Sequence, residues 1–199
     1  MKNLVSTILC CHKLDHYLYS SIESILNQDY SNFELIIVFD NSSSNQFDKL
    51  KNHFIKHPKY KKISFYKNNQ NLGLTKSLNI GITKAKGYYI MRQDSDDISK
   101  INRISKLVNY LNNNKNKSLV FSNVDVINDQ GKLIKKKINY LIINSFYNSY
   151  NYRNSISHPS IMFTKDIYNK VKGYDERFIY SQDYDFISNI IKIDSSSIG

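Results

Sequence analysis

Long apolar runs are missing from this 199-residue sequence. The longest, such as Leu35 to Phe39, fall far below the ~18 residues a membrane-spanning helix needs. The start, Met1-Lys2-Asn3 and a short apolar stretch, does not make a full signal peptide. Only two prolines are present, which excludes a Pro-rich or collagen-like chain. Only two cysteines are present, Cys10 and Cys11, and they are adjacent. Neighbouring Cα atoms sit ~3.8 Å apart, closer than ordinary disulfide geometry accepts. They read as reduced thiols, with no disulfide framework and no CxxC metal spacing. A reducing compartment fits, so the expected location is cytoplasmic.

What is present points to a globular domain. A hydrophobic content of 41% excludes a wholly disordered chain, and the length suffices for a sizeable core. The 28 basic residues exceed the 17 acidic ones, for a net charge of +11. The lysines are scattered, with short clusters at Lys59 to Lys62 and Lys135 to Lys137. In a chain rich in Asn, Lys, Ile and Tyr they read first as solvated surface. Attraction to anions stays open, whether nucleotide, nucleic acid or an acidic membrane face. No aromatic-basic nucleic-acid motif is recognisable.

Periodicity supplies the elements. Leu4 to Leu9 reads as a buried strand, and Tyr17, Leu18, Ile22, Ile25 and Leu26 recur at helical spacing. Phe33 to Phe39 is a nearly continuous apolar run, as in a parallel strand covered on both faces. It stops at Asp40 and a polar turn. A helix through Phe47, Leu50 and Phe54 follows, then a strand at Ile63 to Tyr66. Leu74, Leu78, Ile82 and Ala85 predict a helix, with Gly87 at its C-terminal cap. Tyr88 to Met91 is a fourth strand, and Ile101, Ile104, Leu107, Val108 and Leu111 form one face of another helix. This alternation predicts an α/β fold with a mostly parallel central sheet flanked by helices. Further on, Leu119 to Phe121 reads as a strand, and Val124 to Ile127 with Leu133 to Ile134 as a hairpin around Asn128 to Gly131. Residues 138–157 read as loop with some helix, Ser160 to Phe163 as strand, and a last helix starts near Asp183.

Carboxylates cluster where such a fold binds ligands, beyond the carboxyl ends of the strands. Asp94-Ser95-Asp96-Asp97 puts three of them within four residues. Hard oxygen ligands at that spacing suit Mg²⁺ or Mn²⁺ bound together with phosphates. An acidic start favouring the next helix dipole is the competing use. Asp40 ends another buried strand and suits a base N–H or ribose hydroxyl, or else an Asx turn. Asp183 suits a general base, or else an N-cap. His158 reads as a structural histidine beside a turn, with a ligand role as the alternative. The tyrosines at 140–152 read as packing and surface aromatics, with sugar stacking as the alternative.

In order, these segments resemble the family 2 inverting glycosyltransferases of GT-A fold, from about Val5 to Ile191. VSTILCCHKLDHYLYSSIESILNQDYSNFELIIVFDNSS looks like that family's first strand, helix and second strand. NNQNLGLTKSLNIGITKAKGYYIMRQDSDDI looks like its glycine-containing helix and DxD loop, and HPSIMFTKDIYNKVKGYDERFIYSQDYDF like its acceptor-side segment ending in the [E/Q]D motif. The resemblance implies one glycosyltransferase domain over 1–199, with a Rossmann-like nucleotide-sugar-binding half at 1–100 and a smaller acceptor-side half at 101–199. It implies that Asp40 contacts the donor's uracil or ribose and that Cys10 to His12 flank the base. Asp94 and Asp96 match the DxD pair, with Asp96, assisted by Asp97, holding Mn²⁺ or Mg²⁺, and Asp183 matches the catalytic base. Arg92 and Lys76 are donor-phosphate candidates. Phe39, Asn41, Cys10 and Gln182 depart from the commoner residues at their positions.

The implied reaction is inverting sugar transfer from a nucleotide-sugar, UDP-linked, to a glycan or lipid-linked acceptor in surface polysaccharide synthesis. Relatives continue further beyond the catalytic base, so an incomplete acceptor site and a catalytically idle binding domain is the alternative. A sugar nucleotidyltransferase is disfavoured by the lack of a Gly-rich phosphate loop near the N-terminus. The lysines leave open a peripheral contact with the cytoplasmic membrane face.

Overall fold

The computed structural model describes residues 3–139, 141–146, 149–154 and 156–199, with backbone pairing alone for 141–154. β1 (Val5–Cys11), α1 (His16–Leu26), β2 (Phe33–Phe39), α2 (Ser44–Phe54), β3 (Ile63–Lys67), α3 (Leu74–Lys84) and β4 (Tyr89–Asp94) alternate along the first half. There follow α4 (Arg103–Asn113), β5 (Leu119–Phe121), β6 (Val124–Ile127), β7 (Leu133–Lys137), β8 (Leu141–Phe146) and β9 (Ser149–Asn154). β10 (Ile161–Thr164), α5 (Lys165–Lys170) and α6 (Gln182–Ile193) complete the chain's main elements.

The central sheet has the order β3-β2-β1-β4-β10-β5. β1 to β4 are mutually parallel, while β10 runs antiparallel to both β4 and β5. Strands covered on both faces must be apolar on both, and β1 is buried at every position. Alternate residues feed two cores. Leu9, Leu35, Ile37 and Met91 pack under Leu18 and Ile22 of α1, Leu50 and Phe54 of α2, and Leu107 and Leu111 of α4. Ile8, Ile36, Val38 and Ile90 pack under Leu78 and Ile82 of α3, Ile167 of α5, and Phe186 and Ile190 of α6.

Several expectations need correction. β1 runs on through both cysteines, which are free and buried. β4 extends beyond Met91 through Arg92, Gln93 and Asp94. α4 begins at Arg103, and Ile101 lies outside it, 63% exposed. The C-cap of α3 is Ala85, not Gly87. Gly87 instead lies against β1, where a Cβ would fall 2.7 Å from the Ser6 nitrogen and 2.8 Å from the Leu4 oxygen. Within 138–157, expected as loop with some helix, residues 141–146 and 149–154 instead pair antiparallel as β8 and β9. The side chains of the tyrosines at 140–152 lie outside the described residues. The β6–β7 hairpin forms as expected.

Candidate active site

Register brings the strand ends together. Cys11 pairs with Phe39 and Cys10 with Asp94, so Asp40 and Asp94 end the strands on either side of β1. Between β1 and β4 the strand order reverses, which is where open α/β sheets form their ligand crevice. Cys10, Cys11, His12, Asp40, Asn71, Gly73, Leu74 and Ser77 line a cleft of ≈ 120 Å³ on the β1–β2 side of that point, beside the start of α3. The predicted Cys10, His12 and Asp40 therefore share one wall. Burial pushes the Cys10 thiol up to about 12 and the Cys11 thiol higher still, so both remain protonated and unreactive.

Asp40 makes no Asx turn. Its Oδ1 accepts from Asn68 Nδ2 and the Leu72 nitrogen, both at 2.8 Å, and its Oδ2 accepts from the Gly73 nitrogen at 2.8 Å. Gly73 holds φ 86°, a left-handed conformation open to glycine at little cost. The carboxylate thereby fixes the 68–73 loop. An ionised carboxyl group has about four acceptor sites, which leaves capacity on Oδ2 for a donor facing the cleft. These loop partners were not foreseen, because backbone N–H donors leave no mark on residue type; the Asn-Leu-Gly turn at 71–73 was the available signal.

The Asp94–Asp97 turn does not cap α4. Asn102 is the N-cap position of that helix, and no side chain caps it, so the helix-cap explanation fails for this cluster. Asp96 and Asp97 are exposed. Partial burial of the Asp97 carboxyl, with Asp94 and Asp96 beside it, pushes its pKa up to about 6. Arg92 lies behind Asp94 and not on the cleft wall: its side chain is 2% exposed and ion-paired to Asp94 Oδ1. Arg92 thus orients a carboxylate in this arrangement, while Lys76 is exposed on the first turn of α3. No cluster of three or more metal-ligating side chains occurs among the described residues. One or two carboxylates completed by phosphate oxygens is the usual Mg²⁺ donor set, and Asp96 with Asp97 fits that set.

Beneath the turn lies a polar network that sequence reasoning missed. The buried Gln93 donates from Nε2 to Ser21 Oγ (3.0 Å) and to the Asp97 carbonyl (2.8 Å). Its Oε1 accepts from Ser99 Oγ and Arg103 Nη1, both at 2.8 Å. Ser21 Oγ in turn donates to the Asp94 carbonyl at 2.7 Å. Arg103 also donates from Nη2 to the carbonyls of Arg92 and Pro159. Burial and the neighbouring Arg92 lower its pKa to about 10, against the opposing pull of Asp97.

The remaining candidate, Asp183, belongs to α6. Asp183 lies in its first turn, yet the N-cap position belongs to Ser181, and among the described residues the Asp183 carboxylate accepts no hydrogen bond. It is half-buried and lies within electrostatic range of Tyr174, as do Arg92 and Cys10. Tyr174 packs on Phe186 of the same helix with ring centroids 4.4 Å apart. Its hydroxyl lies 2.9 Å from His158 Nε2. His158 is thus engaged with a neighbouring aromatic, and burial beside Arg92 holds its pKa well below the usual histidine range.

A parallel sheet with carboxylates at its strand ends, closed by an antiparallel strand and an acidic helix start, is the GT-A architecture. TarS of S. aureus in complex with UDP matches with a TM-score of 0.74 at 18% identity, over 100% of this chain and 57% of that one. The mannosyltransferase PcManGT from Pyrobaculum calidifontis, in complex with GDP-Man and Mn²⁺, gives 0.70 at 14% identity, over 94% and 51%. The family model for glycosyl transferase family 2 matches residues 6–177. An uncharacterized glycosyltransferase of Methanocaldococcus jannaschii is 36% identical over 97% of this chain and 68% of its own length. The O-antigen biosynthesis glycosyltransferase WbnJ of Escherichia coli is 34% identical over 95% and 72%. The chain belongs to glycosyl transferase family 2. It spans somewhat over half the length of the two matched structures.

Proposed function

We propose that this chain, as one glycosyltransferase domain, transfers a sugar from a UDP-linked donor, with inversion, to a glycan or lipid-linked acceptor in surface polysaccharide synthesis. One observation supports the reading: the Asp183 carboxylate, in the first turn of α6, lies within electrostatic range of Tyr174, as do Arg92 of β4 and Cys10 of β1, the strands beside which Asp40 and Asp94 lie. The complex of TarS with UDP and the O-antigen role in the name of WbnJ agree with it.

Each residue has a distinct task. Asp40 fixes the 68–73 loop and offers its remaining acceptor capacity to a base N–H or ribose hydroxyl, beside Cys10 and His12. Arg92 holds Asp94 at the cleft's edge. Asp96 and Asp97, together with the donor's diphosphate, would hold Mn²⁺ or Mg²⁺, which would supply neutralisation of the charge on the leaving nucleoside diphosphate. Asp183 takes the proton from an acceptor hydroxyl as that oxygen bonds to the anomeric carbon. The bond from that carbon to the diphosphate oxygen breaks, its electron pair leaving with the nucleotide. A single displacement inverts the configuration.

A nucleoside diphosphate panel, read by thermal shift and calorimetry with and without Mn²⁺, tests the donor half. UDP at ~100 times its Kd is expected to add ~2.7 kcal/mol of stability, and Asp96→Ala to abolish the Mn²⁺-dependent part. Asp183→Asn is expected to lower transfer by ~10²–10⁴-fold with UDP binding intact. No response to any nucleotide, or unimpaired transfer by the Asn variant, overturns the reading.

A further inference from the structure

The β6–β7 hairpin carries a surface that the proposed reaction does not use. Its sequence from Lys132 to Ile138, Lys-Leu-Ile-Lys-Lys-Lys-Ile, interleaves bulky aliphatic and basic side chains. Soluble surfaces bury aliphatic side chains of this size where they can, and a contiguous exposed group marks an interaction site. Here Leu133 is 49%, Ile134 62% and Ile138 72% exposed, and Ile127, opposite Leu133 across the ladder, is exposed as well.

The backbone presents these side chains by construction. Val126 pairs with Lys135 and Ile127 with Leu133, so Ile134 is the extra residue of a bulge and has no partner across the ladder. The turn is held from within: Asn128 Oδ1 accepts from the nitrogens of Gln130 (3.1 Å) and Lys132 (2.9 Å), and Gly131 takes φ 75°. The base of the hairpin is pinned by Lys100 to Asp125 at 2.6 Å and by Lys137 Nζ to Ser157 Oγ at 2.9 Å. Among the described residues, Lys132 and Lys135 have no ion-pair partner. The hairpin is therefore a fixed ribbon that exposes Leu133 and Ile134 near its turn and Ile138 past its base. Lys132, Lys135, Lys136 and Lys137 outnumber Asp125, which is paired to Lys100 and faces Lys136, and Asp129, which lies against Tyr17 of α1.

We propose that the β6–β7 hairpin docks the protein on an anionic lipid surface, with Leu133, Ile134 and Ile138 entering the headgroup region and Lys132, Lys135 and Lys136 meeting lipid phosphates. Charge complementarity selects this occupant. An apolar protein partner has no use for three lysines, and a second copy of this chain would bring the same positive charge against itself, on a molecule already at +11. Interfacial segments that lie on bilayers combine these two ingredients, aliphatic side chains and a basic rim. The inference stands apart from the glycosyl-transfer reading, since it requires neither nucleotide nor Asp183.

Co-sedimentation with phosphatidylglycerol-containing vesicles and with pure phosphatidylcholine vesicles tests it on the whole chain. Binding to the anionic vesicles alone is expected, weakening as salt rises. A lysine near such a surface is worth about fivefold in affinity, or ~1 kcal/mol. The pair Lys132→Gln and Lys135→Gln is thus expected to lower binding by about thirtyfold. Leu133→Ser with Ile134→Ser is expected to reduce it with net charge unchanged. Lys49→Gln with Lys56→Gln, exposed positions on or beside α2, make the same change in net charge and serve as the control. Unchanged thermal unfolding shows that each exposed pair leaves the fold intact. No binding to anionic vesicles overturns the proposal, as does an equal loss in hairpin and control variants. A dimer by sedimentation velocity that Leu133→Ser with Ile134→Ser dissolves would assign the surface to a second copy and overturn it as well.

Discussion

Asp40 accepts three hydrogen bonds. Without its carboxylate the Leu72 nitrogen loses its acceptor, while the Asn68 amide keeps only Ser77 Oγ and the Gly73 nitrogen only Asn71 Oδ1, and hydrogen bonds to a charged group contribute ~1.5–3 kcal/mol each. Asp40→Ala is accordingly expected to destabilise by ~3 kcal/mol or more in denaturant titration, and Asp40→Asn by less, because one amide oxygen remains. His158 sets a pH dependence. Its ring faces Arg92 of β4 and Tyr174 and stays neutral in the fold, whereas an unfolded histidine titrates near ~6.5. The unfolded chain therefore binds the extra proton. This contribution is fully present above pH ~6.5 and is lost as pH falls, with a slope of up to ~1.4 kcal/mol per pH unit. Denaturation midpoints between pH 5 and 8 should show that slope in the wild type and its removal in His158→Gln. Identical slopes would place the titration elsewhere.

Elements carried unequal information in the sequence. β2 was legible because Phe33 to Phe39 is apolar on both faces, and α3 because Leu74, Leu78 and Ile82 keep one face. β4 was cut short at Met91, since Arg92, Gln93 and Asp94 do not look like buried strand. The Gln93 side chain is satisfied by Ser21 of α1, by Ser99 and by Arg103 of α4, and Arg92 pairs with Asp94, contacts that no local periodicity announces. A basic residue in an amphipathic helix reads as solvent-facing, so Arg103 gave no signal. The β8–β9 hairpin was missed for a similar reason: its Asn and Tyr residues break any two-residue alternation. The Asp94–Asp97 turn thus rests on α4 through Gln93. Arg103→Met removes the donor to the carbonyls of Arg92 and Pro159 and leaves Gln93 Oε1 with Ser99 Oγ alone, and is expected to cost ~2–4 kcal/mol in denaturant titration. Arg103→Lys, which keeps the charge but not the fork, should recover only part of this.

At the scale of the whole molecule, the carboxylates at the mouth were legible as residues but not as a constellation. Asp40, Asp94 and Asp183 each had an ordinary local use in isolation. Strand register brings Asp40 and Asp94 to either side of β1, through pairings across many tens of residues, and the start of α6 puts Asp183 within electrostatic range of Tyr174. β4 is the common member: parallel β1 lies on one side of it and antiparallel β10 on the other. No helix among the described residues is long and apolar enough to cross a membrane.

Cys10 and Cys11 are neighbours in sequence but belong to opposite layers, Cys10 to the core under α3, α5 and α6, Cys11 to the core under α1, α2 and α4. The sheet itself separates the two thiols. Both residues also border the cleft, at 8% and 4% exposure, so each times the lifting of its helical layer only in that part of its slow alkylation that UDP in the cleft leaves unchanged. Mass mapping of slow alkylation under native conditions would time the two events separately. Equal rates mean that both layers come away in one cooperative opening. A faster Cys10 means that the layer bearing Asp183 detaches first, leaving the α1, α2 and α4 side of the sheet still closed.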